Sequence, residues 1–321
     1  MNKYLITGGS GFIGTNLVEE LLARGDIILS VDVVSPKNSA HLPYFQQASL
    51  LDENKLTQIV KDFAPTHIYH LGARTDLNGK TLEDYQENIV GVENLIAAAN
   101  AAGSVQRVVF ASSRLVCKIG YQPKNYTDYC PTTPYGESKV VGENIVNSLS
   151  DVKWSWCIFR PTSIWGPWFD VPYRNFFDTV RKGVYLHPTN ATILKSFGYV
   201  GNSVYQIRKL MDVESNKIHK KTFYIGDYQP IDVLEFANSI SEEFQVSKPK
   251  SVPLWLLKIA AIVGDSLNGI GIGFPLTTFR LNNLITPMLH DFSDLQEVVG
   301  DLPYSMKDGV KLTVTWMNKH E

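Results

Sequence analysis

Tyr135 and Lys139 stand four residues apart in the run YGESK, a pairing suited to proton transfer. With Pro134 opening a helix, the two fall on one face, a turn apart. An ammonium beside a phenol favours the phenolate and lowers its pKa. The phenolate is a base for a sugar or steroid hydroxyl, and its protonated form is the matching acid. Tyr-x-x-x-Lys is also common on ordinary helix surfaces, so the pair gains weight only from its surroundings. Upstream, an apolar strand at Arg107–Ala111 ends in Ser112-Ser113. Hydroxyls at the carboxyl end of a parallel strand lie where such folds bind ligands, and one there can hold a reacting oxygen. Capping of a turn is the simpler use of the same serines.

The elements that must position these groups begin at the N-terminus, MNKYLITGGSGFIG. A strand at Lys3–Thr7 runs into Gly8, Gly11 and Gly14, and a helix from Phe12 follows. The first glycine permits a tight turn, the second a close approach to a pyrophosphate, and the third close packing of helix on strand. The helix N-terminus offers free N–H groups to phosphates. The next strand, Ile27–Val31, ends in Asp32, near the offset of ~20 residues expected of an acid that binds ribose. A dinucleotide site is therefore expected. Strands are also expected at His67–Leu71, Arg107–Ala111 and Ser155–Phe159, separated by helices at Glu53–Phe63, Leu82–Ala102 and Pro134–Leu149. Continuous apolar strands between amphipathic helices imply an α/β fold with a doubly wound parallel sheet of the Rossmann kind. Beyond Arg160 the rhythm loosens among prolines, glycines and aromatics, then resumes with a strand at Thr222–Ile225 and a helix at Val233–Phe244. The expected organisation is a nucleotide-binding domain over 1–165 and a smaller C-terminal substrate lobe over 166–321, interleaved with returning strands.

Composition excludes several classes. At 321 residues with 44% hydrophobic content, the chain can bury a large core. A net charge of −2 gives no electrostatic footprint for nucleic acid. No secretory signal pattern precedes the first strand, and Cys117, Cys130 and Cys157 read as reduced thiols, so a cytoplasmic location is expected. The longest apolar run, Val252–Val263, is interrupted by Lys258 and is too short for a membrane span, which needs ~20 residues. A buried helix is expected there, with attachment to a membrane surface or a lid over an apolar substrate as alternatives. His67 and His70 fall on opposite faces of a strand and cannot share an ion, and no metal site is expected. Trp154, Trp156 and Trp168 read as packing, whereas Trp165, after the run FRPTSIW, is a candidate wall of a substrate pocket.

Taken together, TGGSGFIG (7–14), Asp32, HLGA (70–73), Asn88, SSRLV (112–116), YGESK (135–139) and FRPTSIWGP (159–167) resemble the extended short-chain dehydrogenase/reductases, and among them the NAD-dependent nucleotide-sugar epimerases and dehydratases. The weaker KSFGYVGN (195–202) and YIGDYQPIDVLEFA (224–237) extend the likeness into the second lobe. The resemblance implies NAD as cofactor, with Gly8, Gly11, Phe12, Ile13 and Gly14 along the pyrophosphate and Asp32 on the adenosine ribose. Ser49 and Leu50 stand where the family places Asp-Ile or Asp-Leu against adenine. Leu71, Gly72 and Ala73 pass beneath the cofactor with Asn88 nearby, Ser112 adjoins it, and Pro161 and Ser163 flank the nicotinamide. Ser113, Tyr135 and Lys139 match the catalytic set, Lys139 also bonding the nicotinamide ribose. Thr75, Ser113, Arg114, Trp165, Asn175, Lys195 and Arg280 are the substrate-side candidates, the two last named as grips for a diphosphate. Arg114 replaces the Asp-Glu pair of the 4,6-dehydratases, so elimination of water is not expected.

Three functions compete. The first is epimerisation of a nucleotide-activated sugar, at carbon 4 of a UDP-hexose, in surface polysaccharide or O-antigen biosynthesis. The second is net oxidoreduction, by a sugar ketoreductase or a 3β-hydroxysteroid-type dehydrogenase. The third is a dinucleotide-binding regulator without turnover, against which the complete Ser113–Tyr135–Lys139 set argues. A homodimer through the helices at 82–102 and 134–149 is the assembly that the resemblance implies.

Overall fold

A computed structural model describes residues 2–170, 173–269, 271–274 and 276–320. Six strands, β1 (Lys3–Thr7), β2 (Ile27–Asp32), β3 (Phe45–Gln47), β4 (His67–His70), β5 (Arg107–Ala111) and β6 (Ser155–Pro161), are joined by a seventh, Lys221–Ile225, in one sheet. Its order runs from the 221–225 strand through β6, β5, β4, β1 and β2 to β3, and every pairing is parallel. The apolar β-branched runs therefore form sheet interior: Leu5, Ile6, Ile68, Val108, Val109 and Ile158 are all buried. Helices α1 (Phe12–Ala23), α2 (Glu53–Phe63), α3 (Val90–Ala102) and α4 (Pro134–Asn147) cover the two faces. The order reverses between β1 and β4, and the crevice at the carboxyl ends of those strands is where a doubly wound sheet binds its ligand.

Two elements differ from expectation. β3 is a short edge strand, FQQ, with two of its three residues exposed, so it carries no apolar pattern that periodicity could detect. The helix expected over 82–102 is broken: residues Leu82–Asn88 form tight 3₁₀ turns with Tyr85 out of helical geometry (φ −122°), and α3 begins only after Ile89. Asn88 thus sits at the break and not inside a long helix.

The C-terminal part contributes the 221–225 strand to the main sheet and adds short two-stranded pairings. Its apolar core, including Trp165, Phe177, Tyr199 and Phe236, is continuous with the core on one face of the sheet. The run expected as a buried helix becomes the helix Leu254–Gly269, and here the structure corrects the sequence reading. Only Leu257, Ala261 and Gly264 of it are buried, while Trp255 (60% exposed), Ile259 and Ile262 face outward. The inner stripe packs on Leu281 of the following helix, Thr278–Ile285, a small satellite cluster apart from the main core. No described helix is long and apolar enough to cross a membrane.

Candidate active site

The turn after β1 is shaped by contacts that admit no side chain. Gly8 has φ +75°, and a Cβ on it would lie 2.5 Å from the Gly72 nitrogen. A Cβ on Gly14 would lie 2.1 Å from the Gly8 carbonyl oxygen. The N-terminus of α1 is capped by Gly11 with no side-chain hydrogen bond, so its N–H groups open onto a cavity of about 2000 Å³. At the end of β2, Asp32 lines that cavity. Its carboxylate accepts the N–H of Ser10 at 3.1 Å and of Val33 at 2.7 Å.

From there the cavity follows the carboxyl edge of the sheet past Leu71, Gly72 and Ala73 to Ser112 and Ser113, and on to Tyr135, Lys139, Pro161 and Ser163. Segments far apart in sequence meet here because parallel strands all end at the same edge. Thr133 caps α4 by accepting the Gly136 N–H at 3.0 Å. Gly136 is required where it stands, since a Cβ there would meet the Leu115 carbonyl oxygen at 2.3 Å. α4 is thereby pressed onto the segment after β5, where the Ser113 hydroxyl accepts the Leu115 N–H at 3.1 Å and stands close enough to the Tyr135 hydroxyl to influence its titration.

The electrostatics reverse one expectation. Burial pushes the Tyr135 phenol up to about 12, against the smaller opposing effects of the Ser113 hydroxyl and the Arg114 charge. Arg114 is the cation that lowers it. The Lys139 ammonium donates to the Ala111 carbonyl at 3.1 Å, and burial lowers it to about 8 while Glu143 partly opposes the shift. Lysine and tyrosine share a helix face, but the ammonium is turned to the end of β5.

The other candidates divide. Leu50, Thr75, Arg114, Asn175, Lys195 and Arg280 line the cavity with the glycine loop. Lys195, however, is 4% exposed and caps the end of the 278–285 helix, donating to the carbonyls of Asn283 at 2.7 Å and Thr286 at 2.5 Å. Its ammonium is lowered to about 8 by burial and then by Arg114, which places Arg114 near it. Three candidates are not cavity walls. The Ser49 hydroxyl accepts the Leu51 N–H at 3.1 Å in a turn, and Ala48 beside it faces the cavity instead. Trp165 is 1% exposed and packed on Phe177, Tyr199 and Phe236, a core residue. Asn88 is buried, accepting the Arg74 N–H at 2.8 Å and donating to Ser138 at 2.9 Å, so it ties the β4 loop to α4 and acts on the site through position.

Several site features had no sequence signal. Apolar side chains from two C-terminal helices and the stretch between them, among them Leu257, Phe274, Leu276, Phe279 and Leu284, wall the far end of the cavity. At the near end, residues 167–170 form a strap. Asn16 donates to the Pro167 carbonyl at 2.9 Å, Trp168 to Glu19 at 3.0 Å, and Lys37 to the Trp168 carbonyl at 3.2 Å while also pairing with Asp170. Lys37 and Asp170 line the cavity beside Asp32. Beneath α4, the buried Arg160 pairs with Glu143 through two bonds of 2.8 and 2.6 Å.

A glycine cradle at the switch point, an acid at the end of β2 and a Ser–Tyr–Lys set along the sheet edge define a dinucleotide-dependent enzyme of the short-chain dehydrogenase type. The comparisons agree: the profile of the NAD dependent epimerase/dehydratase family matches residues 4–226, and the chain belongs to that family. A 3β-hydroxysteroid dehydrogenase/Δ5→4-isomerase of Mycobacterium tuberculosis is 31% identical over 270 residues, covering 78% of this chain and 71% of its own. A UDP-glucose 4-epimerase of Vibrio cholerae is 27% identical over 273 residues, covering 79% and 80%. Among solved structures, the UDP-glucose 4-epimerase of Thermotoga maritima has a TM-score of 0.76 at 20% identity over 99% of both chains. The enzyme WbmH of Bordetella bronchiseptica, in complex with NAD+, has a TM-score of 0.76 at 20% identity over 100% of both. The residues here fit that cofactor. Beyond the cradle, the Ser112 hydroxyl oxygen is buried without a partner at the cavity, a polar atom that a bound ligand would satisfy.

Proposed function

We propose that the protein is an NAD-dependent epimerase of a nucleotide-activated sugar, of the UDP-hexose 4-epimerase kind, in a cytoplasmic pathway leading to a surface polysaccharide. The observation that carries this reading is the strap at 167–170. An epimerase returns the hydride to the substrate it came from, so the cofactor has to stay bound through the cycle, whereas a dehydrogenase must release it. A segment tied by four side-chain contacts to α1 and to Lys37 in the loop after β2, at the Asp32 end of the cavity, suits retention. The solved structures of like fold that are UDP-glucose 4-epimerases support the same reading.

NAD, when bound, supplies the acceptor and donor of hydride at the substrate carbon. The chain's residues handle the rest. Tyr135 takes the hydroxyl proton of the substrate and returns it after the ring has turned over, with the Ser113 hydroxyl holding the same oxygen. Lys139, anchored on the Ala111 carbonyl, is the donor for the cofactor ribose. Arg114 and Arg280 supply positive charge for the diphosphate at the far end, and Lys195, with its hydrogens committed to backbone carbonyls, contributes through its field.

The apolar far wall favours a second reading: net oxidation of an apolar ring alcohol, as the names of the 3β-hydroxysteroid dehydrogenase relatives suggest. Incubating the purified enzyme with UDP-hexoses and no added cofactor, and following the sugars by NMR, separates the two. Epimer forming without added NAD is the expected outcome. Product appearing only with stoichiometric NAD+ or NADH would replace the epimerase by the oxidoreductase.

A further inference from the structure

The helix Leu254–Gly269 presents Trp255, Leu256, Ile259, Ile262 and Val263 to solvent, between 42% and 61% exposed. These positions recur at intervals of three and four and so form one stripe. Phe279 (70% exposed) and Ile272 (53%) belong to the same hairpin. A contiguous exposed patch of this kind marks an interaction surface. Charge identifies the occupant. With Arg280 on the cavity, residues 250–279 carry Lys250 and Lys258 against one acid, Asp265, in a chain of net charge −2. That acid is turned into the hairpin, where its carboxylate accepts the Thr278 N–H at 3.1 Å. Lys258 lies three residues after Trp255 and four before Ile262, at the edge of the stripe, where a long stem can run along apolar surface with its charge in the headgroups. An apolar stripe with an indole at one end and a lysine at its edge is the pattern of a helix lying in an anionic bilayer surface.

We propose that this hairpin docks the enzyme on an anionic membrane, the 254–269 helix lying in the plane of the interface. Its opposite face carries Leu257 and Ala260 of the cavity wall, and Phe279 stands on both the cavity and the exposed surface. Docking therefore sets the far end of the cavity one helix diameter, ~10 Å, from lipid. The surface is independent of which alcohol is oxidised.

The test is flotation of the full-length protein with vesicles of phosphatidylcholine and of a phosphatidylcholine–phosphatidylglycerol mixture. The wild type floats with the mixed vesicles, less with the neutral ones, and less again as salt is raised. I259E/I262E, at residues outside the cavity, partitions at least ~10-fold more weakly while retaining its thermal transition and NAD binding. Lys258→Glu weakens flotation with the mixed vesicles alone. The proposal is overturned if the wild type does not float, or if I259E/I262E floats as well as the wild type. It is equally overturned if the stripe proves to be a contact between two copies, seen as a dimer that I259E/I262E dissociates without any flotation.

Discussion

At the residue scale, the site separates shape from charge. The Tyr135 ring is buried against Tyr85, and its hydroxyl stands near Ser113. Tyr135→Phe should therefore keep the fold and NAD binding while lowering turnover by ~10²–10⁴-fold, the range for loss of a general acid–base group; steady-state kinetics on the substrate measure it. Lys139 gives a pH signature. Its folded value of about 8 lies below the 10.5 of an exposed lysine, so between those values the unfolded chain binds more protons and stability rises with pH. Lys195 behaves alike. Because the buried tyrosines and Cys157, whose values burial raises, act in the opposite sense and are common to both proteins, the signature is a difference: between pH 7.5 and 10.5 (roughly the window these values set) the denaturant midpoint of the wild type should gain on that of Lys139→Met as pH rises.

At the scale of elements, α4 carries the proposed acid–base pair Tyr135 and Lys139, and a buried ion pair fixes it. Glu143, one turn beyond Lys139, accepts both the Nε and an Nη of Arg160 from β6, and the two side chains are 1–2% exposed. Tyr129 also donates to Glu143 at 2.9 Å. Removing one partner strands a buried charge, which costs ~3–5 kcal/mol. Glu143→Ala should lose about that much stability in a chemical denaturation curve. It should also lose turnover without any change in the chemical groups of the site, because Tyr135 and Lys139 ride on the same helix. If Glu143→Ala matched the wild type in both, α4 would be positioned by other contacts.

For the whole molecule, the proposal is a homodimer through α3 and α4. α3 turns Glu93, Ala97, Asn100 and Ala101 outward, a stripe whose alanines permit close helix approach. Light scattering should give twice the 36.0 kDa chain mass, and Ala97→Arg should return it to one. A wild-type monomer at micromolar concentration would count against the pairing.

Legible in the sequence by itself were the main strands and helices, the glycine turn after β1 and the residues proposed as the Ser–Tyr–Lys set, because each is a local pattern. Gly8 and Gly14 are dictated by the backbone within reach of them, β1 and β5 by apolar runs, and α4 by Thr133 and Pro134 at its start. The edge strand at 45–47 and the break at Ile89 were not legible, since polar residues at a sheet edge and a kink between two helical stretches leave no periodic trace. Tertiary structure alone decided everything that depends on distant partners. Trp165 entered the core because Phe177, Tyr199 and Phe236 surround it, and Lys195, though on the cavity wall, gives its ammonium to helix-end carbonyls 88 and 91 residues away. The Tyr135 phenol was raised by burial where its spacing from Lys139 implied lowering. The apolar run at 252–263 reads as core by composition, yet the fold gives it only the small cluster around Leu281 to pack on, and a helix buries no more of its surface than the neighbours it meets.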